Sequence, residues 1–396
     1  MLGWLAICIG TVIGGLTLLV LAINIVFGMG WKTGRMEHVA LLSGGLVGLV
    51  GLDLLRRWWL VPVGAWPWWL QAVAGVCCLV AFVGLPLATW ARWNRRQPEG
   101  IERADMVVDL AADGGRGRFI GDGPHHWLLS VPGNEALDLV VHRWTARVPA
   151  LPPELDGLSI LHLTDLHFSP AYDRRFFEAV FTAAAAEPAD LVLVTGDLID
   201  DPACVEWIAP LLSKLTAPFG RYAILGNHDH NHHTETIAAA VRASGYLVLD
   251  GDVAVAQLLG KTVAIGGTCA PWGPYVSESE LSRQPADFRL LLSHTPDMVY
   301  RAARQGWDLV LSGHNHGGQV VIPGFGPVLM PSLYSRRFEQ GFYRIGRTLL
   351  YVSRGIGAKH PIRIGCPPEL AHFTLRAGGS PRVEPAPTSV ASVVTP

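Results

Sequence analysis

Residues 4–28 (WLAICIGTVIGGLTLLVLAINIVFG) run for 25 positions without a charged side chain. At ~1.5 Å of rise per residue, a helix of that length crosses a hydrocarbon core of ~30 Å. A second uncharged run, Trp68 to Trp90, covers 23 residues. Between them, Val39 to Leu55 is shorter, glycine-rich and interrupted by Asp53. It reads as a third span whose glycines admit a neighbouring helix closely. A cleaved leader does not account for the first run, which lacks a basic start and is too long. Nine of the 14 tryptophans precede residue 94 and crowd the ends of these runs. That is the interfacial placement expected of amphipathic rings.

Charge separates this head from the rest. Residues 1–90 hold six of the 64 charged side chains (Lys32, Arg35, Glu37, Asp53, Arg56, Arg57), and the remaining 306 residues hold the other 58. The chain therefore divides into a two- to three-span head over 1–93, with spans about 4–28, 39–55 and 68–90. A connector follows over 94–136, then a globular body over 137–376 and a Pro/Ser/Ala tail over 377–396 expected to be disordered. With three spans, Lys32, Arg35, Arg92, Arg95 and Arg96 share one side of the bilayer, against Arg56 and Arg57 on the other. The positive-inside rule then predicts a multi-pass protein of the inner or plasma membrane with its body in the cytoplasm. With two spans, the loop between them would hold four Lys/Arg and draw the body outward. A net charge of −2 gives no general attraction to nucleic acid. Cys8, Cys77 and Cys78 lie in the apolar head and Cys204, Cys269 and Cys366 singly in the body, with no Cys-x-x-Cys pair, which suggests neither a disulfide framework nor a zinc ribbon.

In the body, residues 100–133 are glycine-rich and irregular, and Leu137 to Ala146 alternates like a strand. Short apolar runs then recur: Leu158–Leu163, Leu191–Val194, Tyr222–Leu225, Phe288–Leu292 and Asp308–Leu311. Helix-like stretches separate them at Asp173–Ala186, Cys204–Leu215, Glu235–Ala243 and Pro296–Gln305. Strands alternating with helices predict an α/β fold, and in such folds ligands sit beyond the carboxyl ends of the strands.

A polar cluster follows every one of those runs. In order they are Asp165-Leu166-His167, Gly196-Asp197-Leu198-Ile199-Asp200, Gly226-Asn227-His228-Asp229, Ser293-His294 and Gly313-His314-Asn315-His316. Carboxylates, imidazoles and an amide oxygen suit divalent Mn, Fe, Zn or Co rather than calcium or copper. The count fits two ions, with Mn the first expectation. Asp165, His167 and His316 would hold one; Asn227, His294 and His314 would hold the other; Asp197 would bridge them. Such a pair activates a bridging water and neutralises phosphoryl oxygens. His228 is then left to assist a leaving oxygen, with Asp200, or secondly Asp229, fixing its tautomer.

The set DLH, GDLID, GNHD, SH and GHNH resembles the calcineurin-like metallophosphoesterase superfamily over about Leu158 to Leu375. The GHNHGGQ form, the opening LPPELDGLSILHLTDLHF and the later YVSRGIG and PPEL stretches resemble its membrane-anchored bacterial branch, which includes UDP-diacylglucosamine hydrolases of lipid A synthesis. The resemblance implies a four-layer αββα sandwich and a dimetal phosphoester hydrolase, with every ligand position filled. One departure is Asp229, where many members carry Glu.

Other residues are less constrained by pattern. Arg354, Lys359 and Arg363 are candidates for a second phosphate. His230, His232 and His233 read as a solvated run beside the site, and His162 as a packed core residue. Asn315 is structural or touches substrate. Pro323 to Tyr334 is apolar, either a buried hairpin or a patch that dips into the bilayer. The expected substrate is a membrane-associated phosphodiester or pyrophosphate, such as a phospholipid or lipid-linked phosphoester. A soluble nucleotide substrate with the helices as anchor, or a non-catalytic membrane sensor or scaffold, are the alternatives. The long signature of protein phosphatases is absent, since Asp200 is followed by Asp201 and Pro202.

Overall fold

The structure is a computed structural model that describes residues 2–31, 61, 63–110, 114–231 and 234–378, with scattered residues between 38 and 56. The third expected span (39–55) falls largely outside the described residues, as do His232, His233 and nearly all of the tail.

Two helices form the head. α1 (Leu2–Phe27) and α2 (Trp68–Trp93, with one wider π turn at Val80–Gly84) are each long and apolar enough to cross a membrane. They cross where neither side has bulk: a Cβ on Gly14 would lie 1.9 Å from the carbonyl oxygen of Cys77. Small residues at a crossing allow this backbone approach.

The body is two sheets face to face. The first has strand order β1 (Ile101–Val108), β2 (Leu139–Val148), β15 (Glu369–Ala377), β3 (Ser159–Leu163), β4 (Leu191–Thr195), β5 (Arg221–Ile224) and β6 (Leu247–Val248). The second runs β13 (Gly341–Ile345), β14 (Thr348–Val352), β10 (Leu309–Ser312), β9 (Phe288–Ser293), β8 (Lys261–Thr268) and β7 (Val253–Leu258). β3 to β6 are mutually parallel, as are β8, β9, β10 and β14.

Side chains on alternate sides of each strand build the layers. Leu191, Leu193, Leu290, Leu292, Leu309 and Leu311 meet between the sheets. Val192 and Val194 turn outward under α3 (Arg174–Ala185), α4 (Val205–Leu212) and α5 (Thr234–Ala243). Leu291, Val310 and Leu350 turn the other way, under α6 (Glu278–Arg283) and α7 (Val299–Gln305). These strands are apolar on both faces because both faces are covered. The result is the expected αββα sandwich.

Two stretches differ from expectation. The irregular connector contains β1, whose eight residues pair antiparallel with β2 along its length, so the sheet begins at Ile101 rather than near residue 137. β1 is an edge strand with exposed side chains (IERADMVV), so no buried face marks it in the sequence. The segment Pro323 to Tyr334 is not a hairpin between sheet strands. It contains β12 (Gly326–Pro327), which pairs with β11 (Val321–Ile322) in a small sheet of its own, and it docks onto the ends of both apolar helices. Asn24 of α1 donates through Nδ2 to the Val328 carbonyl (3.3 Å) and the Ser335 hydroxyl (3.1 Å), and accepts from the Met330 amide (2.9 Å). Trp93, at the end of α2, donates to the Gly324 carbonyl at 2.6 Å. Both helices therefore reach the body with their carboxyl-terminal ends.

Candidate metal centre

The carboxyl ends of β3, β4, β5, β9 and β10 lie at one edge of the sandwich, and all five polar clusters meet there. The chain turns sharply at each. Asp165, Asp197, His167, His314 and His316 all have positive φ, between 46° and 67°. Non-glycine residues rarely adopt that conformation, and when they do it is concentrated at functional sites. Glycines leave the space around them: a Cβ on Gly313 would come 2.1 Å from the Asp165 carboxylate, and one on Gly226 would come 2.0 Å from that of Asp197.

Two sets of donor atoms result. On one side Asp165 Oδ1 lies 3.5 Å from His316 Nε2 and 3.9 Å from His167 Nε2, and the two Nε2 atoms are 3.1 Å apart. On the other, His294 Nε2 lies 2.9 Å from Asn227 Oδ1, with His314 grouped alongside. Asp197 sits between. Its Oδ1 accepts the His228 amide at 2.8 Å, while Oδ2 is 3.6 Å from His167 Nε2 and 3.3 Å from His294 Nε2.

These residues fit cations. Asp165, His167, Asp197, Asn227, His294 and His314 are buried, and the Nε2 atom of His314 has no hydrogen-bond partner. A buried polar atom left unpaired is costly unless something else satisfies it. Burial works to lower the His167 and His294 imidazoles, yet the surrounding aspartates outweigh it and lift both to about 9. Burial and His294 instead drop His314 to about 3, and burial and His167 push His316 well below the ordinary range. Protons are thus favoured on the two rings that the carboxylates surround. Metal binding at such a site displaces protons from its ligands.

The remaining candidates separate clearly. Asp200 accepts from His228 Nδ1 at 2.5 Å through one oxygen and from His167 Nδ1 at 2.9 Å through the other. It is the tautomer-fixing carboxylate for both rings. Asp229, the second candidate for that task, instead accepts the amides of Gly226, Leu198 and Ile199 and pins the two loops together. His162 is buried between the sheets and bonds Thr195 Oγ1 at 2.8 Å. Asn315 donates to the Phe338 carbonyl at 2.7 Å, a structural bond.

The two arginines expected to bind substrate are turned inward. Arg354 Nε pairs with Glu369 at 2.8 Å and its Nη2 contacts His142. Arg363 is fully buried and donates to the carbonyls of Arg354, Gly357 and Cys366, with Nη2 3.3 Å from His316 Nδ1. Arg354 braces β15, and Arg363 braces the loop behind His316. Both side chains are buried.

Sequence reasoning missed Trp272, whose ring centroid lies 4.9 Å from that of His314. It follows β8, a strand too rich in glycine (Lys261–Thr268) to register as an apolar run. The carbonyl of Thr195, which accepts from His294 Nδ1 at 2.7 Å, is a backbone contact without a sequence signal. It orients the ring and fixes its tautomer.

The sequence profile described as calcineurin-like phosphoesterase matches residues 158–318, the stretch that carries all five clusters. An uncharacterized metallophosphoesterase of Bacillus subtilis (strain 168), YkuE, is 33% identical over 241 residues, covering 59% of this chain and 84% of that protein. Phosphodiesterase YaeI of Escherichia coli (strain K12) is 30% identical over 228 residues, covering 54% of this chain and 81% of that protein. A Bos taurus protein described as a transmembrane protein with metallophosphoesterase domain is 26% identical over 62% of this chain and 57% of its own length. Two donor sets joined by one aspartate, on a sandwich that such relatives share in sequence, place this chain in the calcineurin-like metallophosphoesterase family, as a metal-dependent phosphoester hydrolase.

Proposed function

We propose that the protein is a membrane-anchored dimetal phosphodiesterase whose substrate is a membrane-associated phosphodiester or pyrophosphate. The observation that carries the membrane part is the docking of both apolar helices onto the segment directly after the last ligand loop, through Asn24 and Trp93. The site is thereby held beside whatever surface the helices enter. The name of the relative YaeI supports a diester. The bovine relative's description supports a membrane setting.

When bound, two divalent ions, Mn first among Mn, Fe, Zn and Co, supply Lewis-acid activation of water and offset phosphoryl charge. Asp165, His167 and His316 would hold one, Asn227, His294 and His314 the other, with Asp197 shared. His228 carries its Nδ1 proton toward Asp200, leaving Nε2 to give a proton to the departing oxygen. Trp272 closes one wall against His314 and restricts water on that side.

Because each helix meets the body at its carboxyl-terminal end, two crossings in the same sense require the chain between residues 28 and 68 to return across the bilayer. This supports three spans. The Lys/Arg distribution then favours a cytoplasmic body. The test is hydrolysis of bis-p-nitrophenyl phosphate and p-nitrophenyl phosphate by detergent-solubilised full-length protein, stripped of metal and resupplied with Mn²⁺. Mn-dependent turnover of the diester, absent in Asp197→Asn, is expected. Turnover of the monoester alone would turn the reading toward soluble phosphate esters, and stoichiometric metal without turnover of either would favour the sensor or scaffold.

A further inference from the structure

Where the two helices meet the body they splay apart and leave a cleft of about 1340 Å³. That exceeds the ~300–1,000 Å³ typical of small-ligand pockets. Its upper walls are helix side chains, including Leu16, Val20, Leu85 and Ala88. Its lower rim changes character within one turn of α2. Arg92, Arg95, Arg96, Arg336, Arg337 and Arg344 line it, against only two acids, Glu99 and Glu339.

The rim is not neutralised from within. Arg92 pairs with Glu339 at 2.9 Å, and Arg336 shares the same carboxylate at 3.9 Å. Arg95 lies over the Tyr343 ring and donates to the Gln340 carbonyl, and Arg337 lies over the rings of Tyr300 and Phe338. Among the described residues, Arg95, Arg96, Arg337 and Arg344 have no carboxylate partner. The Nε atom of Arg336 is buried with no hydrogen-bond partner. Exposed Trp90 and Trp93 flank this level of α2, as aromatic rings do at headgroup depth.

From this gradient we infer that the cleft is a binding site for an anionic glycerophospholipid, its acyl chains between α1 and α2 and its phosphate among the arginines. Apolar walls above and unpaired guanidiniums below match the two halves of such a lipid, and guanidinium is the side chain best shaped for phosphate. The site is separate from the metal centre. Among the described residues, the segment between Phe325 and Gln340 touches both: it lines the cleft, a Cβ on Gly318 would meet Pro327 at 2.2 Å, and Asn315 bonds the Phe338 carbonyl. The inference rests on the membrane anchorage proposed above and not on the hydrolytic reaction.

The test is native mass spectrometry of full-length protein released from detergent micelles holding phosphatidylglycerol and phosphatidylcholine in equal amounts. Retention of phosphatidylglycerol at least about tenfold over phosphatidylcholine is expected from several unpaired arginines. The double variant Arg96→Gln/Arg344→Gln should reduce that ratio to near unity, and Arg96→Lys/Arg344→Lys should keep most of it. Equal retention of the two lipids, or an undiminished ratio in the glutamine variant, would overturn the inference. So would displacement of the lipid by glycerol phosphate at equal concentration, which would mark an anion site indifferent to acyl chains. Carbonate extraction of membranes is run beside it, so that a protein released as soluble identifies failure of the anchorage instead.

Discussion

Asp200 joins His228 and His167 through their Nδ1 atoms, at 2.5 and 2.9 Å, so one largely buried carboxylate orients two rings that stand at the edge of the donor cluster. The arrangement gives both imidazoles the same tautomer, with Nε2 directed away from Asp200. Burial and the flanking Asp197 and Asp200 act oppositely on His228, and the carboxylates prevail, raising its pKa. A raised pKa favours the protonated ring, the form a general acid needs.

His228 therefore matters in proportion to the leaving group. His228→Ala should slow hydrolysis of a diester with an alkoxide leaving group by roughly 10²–10⁴-fold. The same change should cost much less with p-nitrophenolate, which departs without a proton. Paired kcat measurements on the two substrates check this, and equal losses on both would remove His228 from proton transfer. Asp200→Asn should reproduce the pattern and also weaken metal binding by roughly 10–100-fold, because it removes the acceptor behind His167.

Asp197 is placed for a different outcome. With Oδ2 within 3.6 Å of His167 and 3.3 Å of His294, it belongs to both donor sets. Asp197→Asn should lose at least one equivalent of metal after dialysis while its thermal transition stays cooperative. Atomic absorption on the dialysed protein reads this directly. Two retained equivalents would mean that the aspartate is not shared.

Glu369 shows how much of the site's support is electrostatic. It sits on β15, accepts from Tyr351 at 2.7 Å and Arg354 at 2.8 Å, and lies 3.4 Å from His142. Burial alone would raise its pKa, but Arg354 and His142 overcome that and bring it from 4.5 to about 2. A folded value below the unfolded one means stabilisation that is complete above pH ~4.5 and is lost as pH falls toward 2. The size is about 3 kcal/mol, at ~1.4 kcal/mol per unit. Glu369→Gln should therefore melt well below wild type at pH 6, with the gap closing between pH 5 and 3. Metal-stripped samples of both keep acid release of metal out of the comparison.

The convergence of the five polar clusters was legible in sequence because each cluster directly follows a strand buried on both faces. Leu191–Thr195 and Leu309–Ser312 are fully buried runs, so their ends stand out. β1 was not legible, since IERADMVV exposes six of its eight residues and is tied to β2 by strand pairing and by side-chain contacts that reach far along the chain, such as Asp105 with His142 at 2.6 Å. Arg354 and Arg363 could not be assigned by type. Surface and buried arginines look alike in sequence, and only Glu369 and the surrounding carbonyls reveal which these are. The docking of α1 on Met330 spans 306 positions, far beyond any local pattern.

That docking makes the topology testable. Asn24 of α1, Gly28 just after it, and Arg92 and Trp93 of α2 touch the body, so the amino-terminal ends of both helices point away from it. If both span the bilayer, the N-terminus and Trp68 lie on the side opposite the body. A protease-cleavable tag at the N-terminus and another after residue 378 should then be cut from opposite faces of sealed vesicles. With the body cytoplasmic, inside-out vesicles lose only the carboxyl-terminal tag, and right-side-out vesicles lose only the amino-terminal one. Loss of both tags from the same face would require either that one helix does not cross or that the segment between them does not return. Dithionite-quenched probes placed beside Leu5 and Trp68 would then tell these apart, because a helix lying on the surface exposes its probe on the body's side.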